Sequence, residues 1–305
     1  NTVETARLAI AAREHLFAWA EAEGIDFDLE RRGILHFYSD ARDLAHARMV
    51  NGLLAEGGLV RRELDPAEIR AVEPALQGDF VGGFLTESDS SGDIHKFTTG
   101  LAAACVRRGV VLRLGTEVAG VVPLAQGVEV RLGGTDAGAG VRHDGVVVCA
   151  GVRSRALARG LGDRVNVYPV KGYSITVQLE DAASQAAAPW VSLLDDAAKI
   201  VTSRLGPDRF RVAGTAEFAG EDRDIRAARI EPLVAWVNRY FPGVSTRQSV
   251  PWAGLRPMMP SMMPRVGAGR HPGVFYNTGH GHLGWTLSAA TAEMVGAEVA
   301  RALPA

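Results

Sequence analysis

The segment that most constrains the fold of this chain lies near its end, where an apolar run at residues 273–276 is followed by three closely spaced glycines. Gly279, Gly281 and Gly284 border a stretch, residues 283–303, with the apolar periodicity of a helix. This order predicts a strand, a glycine-rich turn and a helix. Glycines let such a turn approach a ligand closely, and the free amides that begin a helix stabilise an anion. The alternative is an ordinary tight turn before a helix, because a lone glycine motif is a weak signal.

A second informative segment, residues 250–257, places one arginine between Leu255 and Pro257. An extended apolar segment would hold the guanidinium of Arg256 in place. A guanidinium fixed in this way can grip a carboxylate with two parallel hydrogen bonds. The same side chain could instead form a structural salt bridge or cap a backbone carbonyl.

Three further motifs precede the arginine segment along the chain: EPAL at residues 73–76, DSSGDIHKFT at 89–98 and VYPVKGYS at 167–174, followed by WAGLRP at 252–257. With the glycine turn, they make the chain similar to the FAD-dependent amine and amino-acid oxidoreductases of the D-amino-acid oxidase and glycine oxidase superfamily. The resemblance covers nearly the whole chain. It implies that the cofactor is FAD.

The middle of the chain alternates helix and strand. Residues 95–108 read as a helix and residues 110–114 as a buried strand, followed by a three-stranded meander and a β-branched strand at 145–151. These elements make half of an α/β nucleotide-binding domain. Earlier in the chain, Asp40 and Asp65 predict the starts of two helices, the second strengthened by the proline that follows.

Residues 167–264 predict antiparallel strands with a helix at 225–240 packed on them. This composition indicates a separate cap built on a sheet. The predicted fold class is therefore α/β with an α+β cap. It comprises a partial FAD-binding, Rossmann-like domain (95–165 and 265–305) and an antiparallel-sheet substrate or cap domain (1–94 and 166–264).

A Rossmann domain normally opens with a strand, a G-x-G-x-x-G turn and, about twenty positions later, an acidic residue that holds the ribose. Residues 3–23 instead have the apolar spacing of an amphipathic helix. We therefore expect the opening βαβ unit to be missing and to come from an upstream segment or a partner chain. FAD binding by these residues alone should then be weak. A natural remnant that folds without catalysing, or serves as a scaffold, is the alternative.

The resemblance also implies roles for individual residues. Arg256 clamps the substrate carboxylate, and Tyr173 lines the substrate pocket unless it is a buried cross-strand aromatic. The amides of the glycine turn face the N1–C2=O edge of the flavin, which gains negative charge on reduction. The implied cofactor-binding residues are Val118 at the adenine, Ala150 and Gly151 at the dinucleotide, Lys171 and Gly172 beside the ring, and Gly279, His280, Gly281, His282, Leu283 and Gly284 in the turn.

The implied reaction is oxidation of a D-amino acid by hydride transfer to flavin N5, followed by hydrolysis of the imino acid to a 2-oxo acid and ammonia. The alternative enzyme is a related flavin oxidase of glycine or sarcosine-type amines. Dehydrogenases of the family pass electrons to a membrane quinone, whereas the sequence itself leaves the acceptor open.

Two departures from the family bear on the substrate. Four methionines at 258, 259, 262 and 263 predict an adaptable apolar wall and a bulky or loosely selected substrate, with a Cu(I) site as a remote alternative. Ala198 stands where an aromatic residue is expected in the dehydrogenases.

Composition excludes other classes of function. The net charge of −2 and pI near 6.5 give no field that would attract nucleic acid. Cys105 and Cys149 lie in apolar stretches, which predicts buried thiols in a reducing, cytoplasmic compartment. No apolar run is long enough to predict a transmembrane segment, so an association with the inner membrane would have to be peripheral. His280 and His282 lack the further ligands of a metal site, and no metal is predicted.

Overall fold

The computed structural model describes residues 1–303, and within them it has eight α-helices and fourteen β-strands in three sheets. Positions 304 and 305 of the predicted FAD-binding segment lie outside the described residues. The helices are α1 (Thr2–Glu23), α2 (Ala41–Glu56), α3 (Pro66–Val72), α4 (Ile94–Arg107), α5 (Ser154–Gly160), α6 (Ala182–Ala187), α7 (Ala227–Tyr240) and α8 (Gly284–Ala302). The strands are β1 (Ile34–Tyr38), β2 (Arg62–Leu64), β3 (Gly82–Thr86), β4 (Val118–Pro123), β5 (Val128–Leu132), β6 (Gly140–His143), β7 (Val146–Val148), β8 (Tyr168–Gln178), β9 (Ser192–Asp195), β10 (Ile200–Arg204), β11 (Arg209–Glu217), β12 (Ser249–Met258), β13 (Arg265–Ala268) and β14 (Val274–Thr278).

The largest sheet has eight strands in the order β12-β8-β11-β10-β9-β1-β3-β2. Its pairs are antiparallel except for β1 with β9, so the predicted antiparallel cap sheet is mixed. Successive side chains of a strand point to opposite faces. On one face, Tyr173, Ile175 and Val177 of β8 are at most 1% exposed and form a core with Leu233 and Trp236 of α7. The other face carries Arg256.

Two three-stranded sheets complete the fold. The predicted meander is β4-β5-β6. In the other sheet, β14 lies between β13 and β7 and pairs with β7 in parallel. The predicted strand, turn and helix near the end of the chain are confirmed as β14, a turn and α8. Because β7 and β14 are parallel, their carboxyl ends meet at one edge, where open α/β sheets bind ligands.

Helix α1 packs against α8 rather than on the large sheet. Ala12, Leu16 and Ala20 of α1 form a buried cluster with Ala289 and Ala290 of α8. The segment 1–94, predicted as part of the cap, therefore begins with a helix beside the predicted FAD-binding segment. The division into two domains stays a prediction.

The structure confirms both helix starts and corrects two other predictions. Asp40 and Asp65 cap α2 and α3 through their side chains. Residues 110–114 do not form the predicted strand, because no strand within residues 1–303 pairs with them. The prediction that both thiols are buried is wrong, because Cys105 is half-buried and Cys149 is exposed. Cys149 directly follows β7, which is an edge strand and leaves one side uncovered.

His36 on β1 makes the stability of the sheet depend on pH. Burial, and then the charge of Arg61, lower the pKa of His36 to about 4. An unfolded histidine has a pKa of about 6.5, so between these values only the unfolded chain takes up the proton. Stability is therefore full above pH 6.5 and falls as the pH drops towards 4. From pH 7 to 4 we expect the wild type to lose roughly 3 kcal/mol more than His36→Gln in urea denaturation.

A second histidine provides the control for this titration. His46 is exposed on α2, so His46→Gln should keep the pH dependence of the wild type. Parallel curves for His36→Gln and the wild type would show that His36 does not control the acid sensitivity.

Candidate active site

The candidate site is built on three neighbouring strands, β11, β8 and β12. Residues directly opposite each other in antiparallel strands share a face. On β12, Arg256 lies opposite Val170 and Gly254 lies opposite Gly172. Arg256 and Gly172 therefore face the same side of the sheet. A Cβ added at Gly172 would overlap Cζ and both terminal nitrogens of Arg256, so the guanidinium lies directly over the glycine.

The guanidinium of Arg256 is held by backbone carbonyls and not by an acid. Nη1 donates to the carbonyl oxygen of Thr215 at 2.7 Å, and Nη2 donates to that of Gly214 at 3.4 Å. Burial, and then the charge of Arg211, lower the pKa of Arg256. Within residues 1–303 it forms no ion pair with a carboxylate. The result is a fixed, charged group with unused N–H donors.

A second guanidinium on this face was not predicted from the sequence. Nη2 of Arg211, on β11, donates to Oγ of Ser174 at 3.4 Å, and Cζ lies 5.7 Å from the ring centroid of Trp252. The signal was present in the strand pattern, because Arg211 stands between Phe210 and Val212, which are both fully buried. A polar residue between two core residues points to the opposite face.

Lys171 and Tyr173 lie on the core face of β8, away from Arg256. The Lys171 ammonium is fully buried 3.0 Å from Oδ2 of Asp222 and 3.4 Å from Oε2 of Glu217. The Tyr173 hydroxyl donates to Oε2 of Glu217 at 2.6 Å. An Asp224 backbone amide and the Lys171 ammonium hold the pKa of Asp222 down to about 2. The Tyr173 ring is therefore a buried cross-strand aromatic. This is the alternative that the sequence analysis gave to a role in lining the substrate pocket.

The glycine turn lies against the end of β12. Gly279 and Gly281 have φ angles of +79° and +61°, which glycine adopts without a steric penalty. The Gly281 amide donates to the carbonyl of Pro257 at 3.0 Å. A Cβ at Gly279 would meet Met259, and one at Gly281 would meet Met258. The side chains of these two methionines therefore pack against the turn. Because Pro257 and Met258 directly follow Arg256 in the chain, the turn lies beside Arg256.

The two histidines of the turn lie in different surroundings. Nε2 of His280 lies 3.0 Å from Oγ1 of Thr291 on α8, and burial lowers the pKa of His280. Burial, and then the charge of Arg256, lower the pKa of His282. His282 is therefore the turn residue whose charge is coupled to Arg256. No group of three or more potential metal ligands occurs in the described part of the chain.

Helix α8 begins with amides that no side chain caps. Its N-cap residue, Leu283, offers no side-chain hydrogen bond, so the first N–H groups from Gly284 onward have no side-chain partner. In a helix of 19 residues these amides carry the positive end of the dipole. They form a site for a group that is or becomes anionic.

The turn after β7 lies at the same sheet edge. Gly151 has a φ of +54° and accepts a hydrogen bond at its carbonyl from Oγ1 of Thr278, at 3.4 Å. The same Thr278 hydroxyl lies 2.7 Å from Oγ of Ser154. These bonds join the ends of the parallel strands β7 and β14. Ala150 is exposed beside them, and Val118, at the start of β4, is 44% exposed.

Parallel strand ends with left-handed glycines, an uncapped helix and a fixed guanidinium are the arrangement expected of a dinucleotide-dependent enzyme that acts on an anionic substrate. The chain belongs to the DAO family of FAD dependent oxidoreductases, whose model matches residues 1–298. It is an enzyme of this family, and its cofactor is FAD. The residues present fit FAD, because Ala150, Gly151, Gly279, Gly281 and the first amides of α8 surround one edge of the sheet.

Two relatives support the family assignment, and one solved structure shares the fold. The chain is 59% identical to "D-amino acid dehydrogenase 3" of Mesorhizobium japonicum, covering 100% of this chain and 74% of the relative. It is 42% identical to a D-amino acid dehydrogenase of Paramagnetospirillum magneticum, covering 97% and 69%. Glycine oxidase from Geobacillus kaustophilus has the same fold, with a TM-score of 0.86 at 22% identity over 98% of this chain and 80% of that one.

Among the helices of residues 1–303, none combines the length and the apolar character that spanning a membrane requires.

Gly281→Ala tests whether FAD lies at the turn. Alanine at a φ of +61° is strained, and its Cβ would approach the Met258 sulfur to 2.6 Å. We expect unfolding free energy to fall by about 1–2 kcal/mol and FAD affinity to fall about tenfold, since the turn amides would shift. Urea denaturation and titration of flavin absorbance measure the two effects.

Gly296→Ala is the matched control, because a Cβ at this position in α8 meets nothing within 4 Å. This variant should keep the FAD affinity of the wild type and gain stability from the higher helix propensity of alanine. Unchanged FAD affinity in Gly281→Ala would remove the turn from the cofactor site.

Proposed function

We propose that the chain, with FAD bound, oxidises D-amino acids to 2-oxo acids and ammonia. The observation that carries the proposal is the guanidinium of Arg256, which is fixed, lacks a carboxylate partner among the described residues and lies beside the glycine turn. The D-amino acid dehydrogenases that share up to 59% of its residues favour the same substrate class.

Arg256 binds the α-carboxylate of the substrate. A guanidinium has five N–H donors, and the carbonyls of Thr215 and Gly214 take two of them. The remaining donors can grip a carboxylate in the planar, two-bond arrangement that arginine favours. Arg211 adds a second positive charge on this face. Fixing the carboxylate orients Cα and turns binding energy into alignment for the reaction.

The amides of the turn and of α8 would hold the cofactor edge that becomes anionic on reduction. A bound FAD would supply the hydride acceptor for the substrate Cα. The turn around Gly281 and the first amides of α8 are already in place, so they would stabilise the developing charge without rearrangement. Burial, and then the charge of Arg256, lower the pKa of His282, which favours its neutral imidazole.

The geometry of the site does not identify the electron acceptor, and the only support for one comes from the names of the relatives. We infer that the reduced enzyme passes electrons to an acceptor other than oxygen, for which a quinone is one candidate, since the relatives carry the name dehydrogenase. Oxygen uptake measured beside reduction of a soluble quinone separates these outcomes. Faster turnover of sarcosine than of D-alanine would favour an oxidase of glycine-type amines instead.

Arg256→Ala tests the carboxylate clamp. Hydrogen bonds to charged groups contribute roughly 1.5–3 kcal/mol each, so we expect kcat/KM for D-alanine to fall by about 100-fold or more. Arg256→Lys should recover only part of this loss, because an ammonium lacks the planar fork. Anaerobic reduction of a soluble quinone with D-alanine measures the rates.

Arg223→Ala removes an exposed arginine of the same sheet-based region and should leave kcat/KM unchanged. If Arg256→Ala and Arg223→Ala both behave as the wild type, then Arg256 is not the substrate clamp. If the FAD-loaded wild type oxidises no amine at all, a scaffold role replaces the proposed activity.

A further inference from the structure

Gly172 occupies a position where its backbone conformation does not require glycine. It lies inside β8, paired with Gly254 on β12, and its φ is not in the left-handed region. Glycine inside a strand is unfavourable, because it has no side chain to pack and loses more conformational entropy on folding. The reason for glycine here is the close approach of Arg256. A Cβ would coincide with the guanidinium of that arginine.

The carbonyls that hold Arg256 come from an irregular part of β11. Regular pairing between β11 and β8 ends at Gly214 opposite Tyr173, and resumes with a shifted register at Glu217 opposite Lys171. Within this bulge, Thr215 has a φ of +65°, which is a strained conformation for a β-branched residue. The same residue accepts the 2.7 Å hydrogen bond from Nη1 of Arg256. Strained backbone of this kind persists where its surroundings enforce it, often at functional sites.

The core face of the sheet enforces the bulge. Glu217, the residue at which regular pairing resumes, accepts from the Tyr173 hydroxyl at 2.6 Å and from Nη1 of Arg226 at 2.9 Å. The buried Lys171 ammonium lies 3.4 Å from the same carboxylate. Thus the ion cluster on one face fixes the backbone whose carbonyls contact Arg256 on the other face.

We propose that Gly172 is a positioning residue for substrate binding. Together with the carbonyls of Gly214 and Thr215, it forms a seat that holds the Arg256 guanidinium flat against β8. The side chain of arginine has many rotamers, and a bidentate grip requires one of them. The contacts of this seat hold Arg256 in that rotamer before the substrate binds. This inference rests on the proposed role of Arg256 in binding the carboxylate.

The direct test is Gly172→Ala in the FAD-loaded enzyme. The added Cβ displaces the guanidinium, so we expect KM for D-alanine to rise tenfold or more while kcat falls by a smaller factor. Isothermal titration with pyruvate, the 2-oxo acid product, supplies a readout independent of turnover, and its Kd should rise by a similar factor. Gly120→Ala is the control, since this strand glycine has nothing within 4 Å of an added Cβ.

A double-mutant cycle separates positioning from a general effect on folding. In the Arg256→Ala background there is no guanidinium to displace, so Gly172→Ala should change pyruvate affinity by less than twofold. Recovery of folding in the double variant, where Gly172→Ala alone does not fold, would also support the seat. If the two effects multiply, or if neither variant folds, the added Cβ acts through something other than Arg256 and the proposal is overturned.

The outcome also distinguishes this inference from the proposed function. If Arg256→Ala weakens pyruvate binding but Gly172→Ala does not, only the seat is wrong. If neither substitution affects pyruvate binding, Arg256 is not the carboxylate clamp and both proposals fail.

Discussion

The contact between the Arg256 guanidinium and the backbone of β8 is the interaction on which the candidate site depends. A charged group on a long side chain is useful for binding only when its position is fixed, and here the backbone fixes it. Gly172 provides the space, and the carbonyls of Gly214 and Thr215 accept two hydrogen bonds. Because no carboxylate within the described residues neutralises the guanidinium, its charge remains available for a ligand.

The positively charged side chains on the two faces of the large sheet have different kinds of partner. On the core face, the buried Lys171 is surrounded by acceptors from Glu217, Asp222 and Asp224, as a buried cation must be. On the other face, the hydrogen-bond partners of Arg211 and Arg256 among residues 1–303 are neutral. Alternation along β8 and its neighbours separates the two arrangements, so one sheet both stabilises the fold and presents a positive surface.

Particular residues show how much of the structure could be predicted from the sequence. The glycine turn, helix α8, the meander and the caps at Asp40 and Asp65 were predicted, because each depends on neighbours within a few positions. The family and FAD were also predicted, from motifs spread over the chain. The predicted strand at residues 110–114 was wrong, because strand pairing depends on segments that are distant in the sequence. Arg211 was missed for a related reason, because the sheet face on which a side chain acts depends on which strands pair with its own.

The sequence by itself determined the local elements and the family, since propensities, caps and motifs act over short distances. Only the tertiary structure decided which face each residue of β8 occupies. That choice put Tyr173 into the core and placed Arg256 over Gly172, 84 positions away in the chain. The physical reason is strand register: a shift of one residue would exchange the two faces, and burial of the apolar face against α7 selects the register observed.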